Sequence, residues 1–240
     1  MDNRRFDDFD AYARDYRRIH TENVRLTGAD SHYFAEMRVR MLQRYEQDQP
    51  LRVLDLGCGD GVMEQYLYRF FPRWQVDAID VSAESIAMAR QLELPNARFA
   101  AYDGLHIPFD PATFEVVLLA GVLHHVSFDL HSALLQDIFR VLKPGGRLII
   151  YEHNPLNPLT RRLVRTCVFD ADAKLLRCGY LSRILREEGF VLLQRFYFIF
   201  IPPFGWLRRL IPLERFIGWL PIGGKYFIRA QKRDPHAEGT

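Results

Sequence analysis

The chain has 240 residues, is 48% hydrophobic and carries a formal net charge of +2. That is enough for one domain with a full core, and the near-neutral balance excludes a chain that binds polyanions over its whole surface. Three cysteines (Cys58, Cys167 and Cys178) make no disulfide framework, and the charged start MDNRRFDDFD has no apolar stretch of a signal peptide, so a reducing cytoplasmic setting is expected.

Taken in chain order, residues 1–48 read as helical. Phe6, Phe9, Tyr12, Ala13 and Tyr16 fall at helical spacing. A turn at 27–30 leads to a second helix over about 32–46, with Ser31 as its candidate N-cap. Strand-like and helix-like runs then alternate, as a parallel sheet requires. Strands are expected near 51–56, 75–80, 97–101, 114–120 and 146–152, and helices near 62–71, 83–92 and 131–142, the last started by Ser127 or Asp129. A helix over 181–188 ends at Gly189, and strands over 190–200 and 224–232 close the pattern.

The first strand ends in Asp55-Leu56-Gly57-Cys58-Gly59-Asp60-Gly61. Glycines let the backbone turn sharply and approach a ligand, and the helix that follows offers free N–H groups. The third glycine of a dinucleotide fingerprint would fall on Val62. A carboxylate ahead of the turn repels phosphates and suits a ligand with a cationic end. Asp80, at the end of the second strand, stands where doubly wound folds grip a ribose diol. Asp103 and Gly104 follow the third strand, and 114–121 and 142–150 supply two further buried runs.

The motifs VLDLGCGDG, AIDVS, AYDG, FEVVLLAGVLHHV and LKPGGRLII occur in this order over roughly residues 50–153. On these motifs the chain resembles the class I S-adenosylmethionine-dependent methyltransferases. The resemblance implies a doubly wound, Rossmann-like α/β sheet of seven strands, with the seventh antiparallel between the fifth and sixth, and an N-terminal helical lid. It implies S-adenosyl-L-methionine as cofactor, held by Asp55, Gly57, Cys58, Gly59, Asp80, Val81, Asp103, Gly104 and Ala120. From the N-terminal helices, Tyr16 and Arg38 are further candidates, Arg38 as a fork on the cofactor's carboxylate; a packed aromatic stripe and a solvated arginine are the alternatives.

A general base is needed only if the acceptor is a hydroxyl or a protonated amine. Candidates are His124, His125, Glu152 and His153, with His125 and His153 chosen as catalytic. A Leu-His-His element is widespread in the resembled family, which favours a structural or cofactor-side role; for His153 the alternative is support of the Asn154-Pro155 turn. No ligand spacing for a metal is present, and no arginine stripe runs along a helix, so nucleic acid is not expected.

The expected organisation is one domain: a lid over 1–48, a cofactor-binding core over 49–153, an insertion over 154–178, and a C-terminal part of the core over 179–240. The last carries an apolar, arginine-bearing insertion over 201–223. Its prolines and arginines stop it from spanning a bilayer. It reads as a lid, a peripheral membrane contact or a homodimer contact. The expected activity is methyl transfer to a small-molecule or lipid-like acceptor in the cytoplasm or at the membrane surface. A methyltransferase acting on a protein or other macromolecule, and a non-catalytic cofactor-binding subunit, are the alternatives.

Overall fold

The computed structural model describes residues 30–166, 173–201 and 205–234. The readings made at Phe6, Phe9, Tyr12, Ala13, Tyr16 and Cys167 lie outside the described residues. Strands β1 (Leu51–Leu56), β2 (Trp74–Asp80), β3 (Ala97–Ala101), β4 (Phe114–Ala120) and β5 (Leu142–His153) run parallel. Strand β7 (Lys225–Lys232) is antiparallel to both β5 and β6 (Phe190–Phe198). The seven strands form one sheet in the order β3-β2-β1-β4-β5-β7-β6. Strand order reverses between β1 and β4, and a ligand crevice opens at such a reversal, beyond the carboxyl ends of the strands.

The helices are α1 (Ser31–Leu42), α2 (Val62–Phe70), α3 (Ala83–Arg90), α4 (His131–Val141), α5 (Pro158–Thr166) and α6 (Cys178–Glu187). Successive strand residues point to opposite faces, so each central strand feeds two cores. Leu54, Leu56, Val117, Leu119, Leu148 and Ile150 pack with Leu135 and Ile138 of α4 and Leu181 and Leu185 of α6. Val53, Val116, Leu118 and Ile149 pack on the other face with Val39 of α1 and Leu67 of α2. Burial on both faces explains why β1 and β4 read as unbroken apolar runs rather than alternating ones.

Several boundaries differ from the sequence reading. Asp30, not Ser31, caps α1: its Oδ1 accepts the Tyr33 N–H at 2.8 Å. The helix stops at Leu42 and the chain turns there instead of continuing to Glu46. Neither Ser127 nor Asp129 caps α4 with its side chain; a single 3-10 turn, Phe128–Leu130, leads straight into it. The Lys-Pro-Gly-Gly turn is absorbed into a long β5, with a register shift against β4 between Phe114 and Val116.

The segment after β5 forms α5, and the segment after β6 contains a 3-10 helix over Gly205–Phe216. Gly218 then accepts the Tyr197 N–H at 2.7 Å, which covers part of the exposed edge of β6.

Candidate functional site

The turn after β1 is built from positive-φ glycines. Gly57 lies at φ +83° and Gly59 at φ +56°. A Cβ on Gly57 would sit 2.4 Å from Val122 Cγ2, whereas one on Gly59 would meet nothing within 4 Å. The first glycine is thus fixed by close packing on the turn after β4, and the second borders open space. The turn is latched to β2: the N–H groups of Gly57 and Cys58 reach the Ile79 carbonyl at 2.8 and 3.2 Å. The Gly59 N–H reaches Asp80 Oδ2 at 2.8 Å, while Asp80 Oδ1 accepts the Ser82 N–H at 2.9 Å. Asp80, half-buried at the end of β2, is thus a strut of the turn.

Asp55 lies beneath the turn and is buried, with Oδ1 making no hydrogen bond. Glu64, in the first turn of α2, is equally buried, and neither of its oxygens has a conventional partner. The two carboxyl groups bond to each other, which requires one of them to keep a proton. Burial pushes Asp55 up to about 6, against the pull of the Glu64 hydrogen bond and the Arg38 charge and with help from Asp80. Glu64 is raised well above its ordinary value, first by burial and then by the Asp55 charge. A buried pair that holds one proton and has oxygens to spare is suited to a cationic group. Arg38 of α1 is brought to the same place, with its charge felt by Asp55 and Tyr151. Its backbone carbonyl accepts the Tyr151 hydroxyl at 2.9 Å.

Cys58 donates weakly to the Gly59 carbonyl at 3.6 Å, and burial among Glu64, Asp55 and Asp80 holds its thiol well above the ordinary range. It is a neutral wall, not a nucleophile. On the far side, Val81 is half-buried, and Asp103 is exposed. Asp103 Oδ1 accepts the N–H groups of Leu105 and His106 at 2.8 and 3.1 Å, which holds the turn around Gly104 and lowers the carboxyl's pKa. Ala120 ends β4, half-buried beside Gly121 and Val122.

The histidines divide by role. His124 is buried, and its Nδ1 lies 2.6 Å from Glu152 Oε2. Glu152 also accepts the Leu123 N–H at 2.9 Å through Oε1. Burial alone would raise the Glu152 carboxyl, but the His124 charge and hydrogen bond, with His125 and the Leu123 N–H, hold it below its ordinary value. His131 locks the same turn: Nε2 faces the carbonyls of Leu123 and Val126 at 3.0 and 3.1 Å, and Nδ1 faces the Tyr180 hydroxyl at 3.0 Å. Glu152 is therefore engaged in structure and is not a free base. His125 and His153 are half-buried at the carboxyl ends of β4 and β5, their ring centroids 4.2 and 5.3 Å from that of His124.

The structure thus gathers Asp55, Gly57, Cys58, Gly59 and Asp80 into one turn-centred unit with Arg38, and sets His125 and His153 together on the β4–β5 side. Asp103 and Gly104 stand at the end of β3, while Tyr16 lies outside the described residues. Sequence reasoning missed Glu64, because an acid in the first turn of a helix is ordinary there. It also missed the clamp that His131 and Glu152 form on the Leu-His-His turn. The signal for His131 was its place as the first residue of α4.

The seven-stranded order with an antiparallel β7, and a glycine turn between two acids at the strand reversal, define a doubly wound sheet with a ligand crevice at its switch point. The family model described as "Methyltransferase domain" matches residues 53–146. The chain is 34% identical over 111 residues to the ubiquinone/menaquinone biosynthesis C-methyltransferase of Desulfotalea psychrophila, covering 43% of this chain and 42% of that protein. It is 34% identical over 133 residues to the 2-phytyl-1,4-naphtoquinone methyltransferase of Thermosynechococcus vestitus, covering 54% and 57%. The chain thus spans about half the length of these curated relatives. Its fold matches that of a SAM-dependent methyltransferase from Aquifex aeolicus with a TM-score of 0.58 at 19% identity, over 80% of this chain and 87% of that one. Residues 53–146 thus match a methyltransferase domain, and the chain as a whole shares the fold of a SAM-dependent methyltransferase.

Proposed function

We propose that the protein transfers the methyl group of S-adenosyl-L-methionine to a small apolar acceptor of quinone or lipid-like type. The observation that carries this reading is the buried Asp55–Glu64 pair, with oxygens to spare, directly under a glycine turn whose Gly59 borders open space. The donor set matches the cofactor's groups. Asp55 with Glu64 takes the ammonium, and Arg38 takes the carboxylate. Asp80 takes the ribose hydroxyls, and Gly57, Cys58 and Gly59 line the chain between them. Val81, Asp103 and Gly104 border the adenine, and Ala120 lies at the reacting end. The cofactor supplies an already activated sulfonium methyl.

What this chain contributes is alignment. Holding two reactants in line can supply several kcal/mol. The turn latched to Ile79, and the turn clamped by Glu152 and His131, are the two rigid walls that would do so. His125 and His153 face the acceptor side, where either could hold a proton of a hydroxyl acceptor. The acceptor class is supported by the two quinone-pathway relatives and by the apolar surface that continues from the end of β5. Incubation of the full chain with deuterated cofactor and separate lipid and polar extracts, read by mass spectrometry, tests it. Labelled product in the apolar extract is expected. Label in the polar extract alone would refute the acceptor class, and no label in either would refute the activity.

A further inference from the structure

The end of β5 leads into a second surface that the reaction itself does not use. Asn154, Asn157 and Thr160 staple the start of α5 to the end of the 201–223 insertion. Asn154 Nδ2 donates to the carbonyls of Pro221 and Gly223 at 3.0 and 2.7 Å. Asn157 Nδ2 donates to Ile222 O at 2.7 Å, and Thr160 Oγ1 to Gly224 O at 2.9 Å. The two insertions are therefore one structural unit.

The 3-10 helix of that unit sorts its side chains. With three residues per turn, positions i and i+3 lie in one row. Trp206, Arg209, Pro212 and Arg215 make one exposed row, and Leu213 and Phe216 end the next. Glu214 turns inward instead and accepts the N–H groups of Ile199, Phe200 and Ile201 at 3.0, 2.8 and 2.7 Å. Among the described residues of 154–166 and 199–224, the one acid is thereby withdrawn from the surface. Trp206 is 71% exposed and Trp219 is 74% exposed, so neither packs on the domain as a lid would require. Leu156, Leu159 and Ile222 add exposed aliphatic side chains next to the staple.

Charge follows the same unit. Residues 154–166 and 199–224 hold six arginines and one acid, Glu214, in a chain whose total is only +2. Arg161, Arg162 and Arg165 of α5 line an open hollow of about 530 Å³ with Pro158 and Thr166.

We propose that this α5–insertion face docks the protein on an anionic lipid surface, with Trp206, Trp219 and Phe216 entering the interface and the arginines meeting lipid headgroups. Exposed tryptophan beside arginine is the composition of an interfacial segment. Among the described residues no helix is long and apolar enough to cross a membrane, so the contact lies in the surface plane. A second copy of this chain is a poorer occupant. A two-fold contact would bring like arginine clusters together. A polynucleotide would leave the exposed leucines and isoleucine without a partner. The proposal rests on the apolar-acceptor reading only for its purpose: it places the crevice at the end of β5 beside the phase that holds such an acceptor.

Vesicle sedimentation of the full chain tests it, comparing phosphatidylcholine vesicles with phosphatidylcholine–phosphatidylglycerol vesicles. Pelleting with the anionic vesicles at low salt, release at high salt and little pelleting with the neutral ones are expected. Each arginine near an anionic surface contributes about fivefold to partitioning, so Arg161→Ala with Arg162→Ala lowers it roughly thirtyfold. Trp206→Ala with Trp219→Ala also releases the protein. Calorimetric titration of S-adenosylmethionine into the same variants, whose changed side chains are exposed, verifies folding and is expected to give wild-type affinity. Wild-type protein that stays in the supernatant, or pellets equally with neutral vesicles, overturns the proposal. So does a wild-type dimer in sedimentation velocity that Trp206→Ala with Trp219→Ala dissociates, which assigns the face to a second copy. None of these outcomes depends on methyl transfer.

Discussion

Asp55 and Glu64 are a buried carboxyl pair that shares a proton, and in the proposed function this pair meets the cofactor's ammonium. Burial raises Asp55 from its ordinary 3.8 to about 6. Folding thus favours the protonated acid, and ionising it costs stability as pH rises from about 4 to about 6. A cationic ligand favours the ionised form, so binding releases a proton. Affinity for S-adenosylmethionine should therefore rise with pH through about 6 and level off above it, by calorimetry in buffers of differing ionisation enthalpy. A flat profile across that window would remove the pair from the binding account. Glu64→Gln replaces the shared proton with an amide that donates to Asp55. The rise should then move to lower pH, and the neutral-pH protein should gain on the order of 1 kcal/mol in thermal unfolding. His153 tests the other side of the crevice: His153→Ala should lower turnover while leaving cofactor affinity unchanged, and a variant at wild-type turnover would make the ring a turn support only. Glu64 was not legible in the sequence, because nothing in a helix's first turn distinguishes an exposed acid from one folded under a glycine turn. Asp55, Gly57, Gly59 and Asp80 were legible, because their spacing already placed two acids and a tight turn at consecutive strand ends.

At the scale of elements, the turn after β4 is the rigid part of the site. Glu152 holds Leu123 and His124, and His131 holds Leu123 and Val126 from the start of α4. Removing one partner of a buried charged contact costs about 3–5 kcal/mol. Glu152→Ala should therefore lower the midpoint of thermal unfolding by roughly 6–20 degrees for a domain of this size; a loss of only one or two degrees would show that His124 is satisfied without it. Because the Glu152 carboxyl is held below its ordinary value, its contribution is complete above its unfolded pKa and is lost as pH falls through the lower folded one. The alternating strands and helices of the core were readable from runs of apolar residues bounded by glycine and acid. Less readable were the ends governed by neighbours. Asp30 caps α1 one residue before the expected Ser31, and α4 begins without a side-chain cap because the His131 ring already fixes its first turn. The Gly205–Phe216 helix was hidden by its three-residue period and by Pro212, which argues against an α-helix at that point. Antiparallel β7 followed from family resemblance, since a strand's direction leaves no mark in its own residues.

The whole molecule has two faces that meet at the end of β5. One is the crevice at the strand reversal, built from β1, β2 and β4 with Arg38 reaching in from α1. The other is the stapled α5–insertion unit, basic and apolar together. Strand order alone places the crevice, whereas the second face exists only because Asn154, Asn157 and Thr160 join two segments about sixty residues apart in the chain. The sequence showed each segment but not their union, since the staple is made of side-chain bonds to backbone carbonyls. The central claim is that the glycine turn and its two acids hold S-adenosylmethionine. It is tested most directly by calorimetric titration of that cofactor into the full chain and into Asp80→Ala. Losing charge-assisted bonds to the ribose costs roughly 1.5–3 kcal/mol. Saturable binding of one cofactor per chain, weakened about tenfold or more by Asp80→Ala, is the predicted result; no binding to the wild type, or equal affinity in the two proteins, would contradict it.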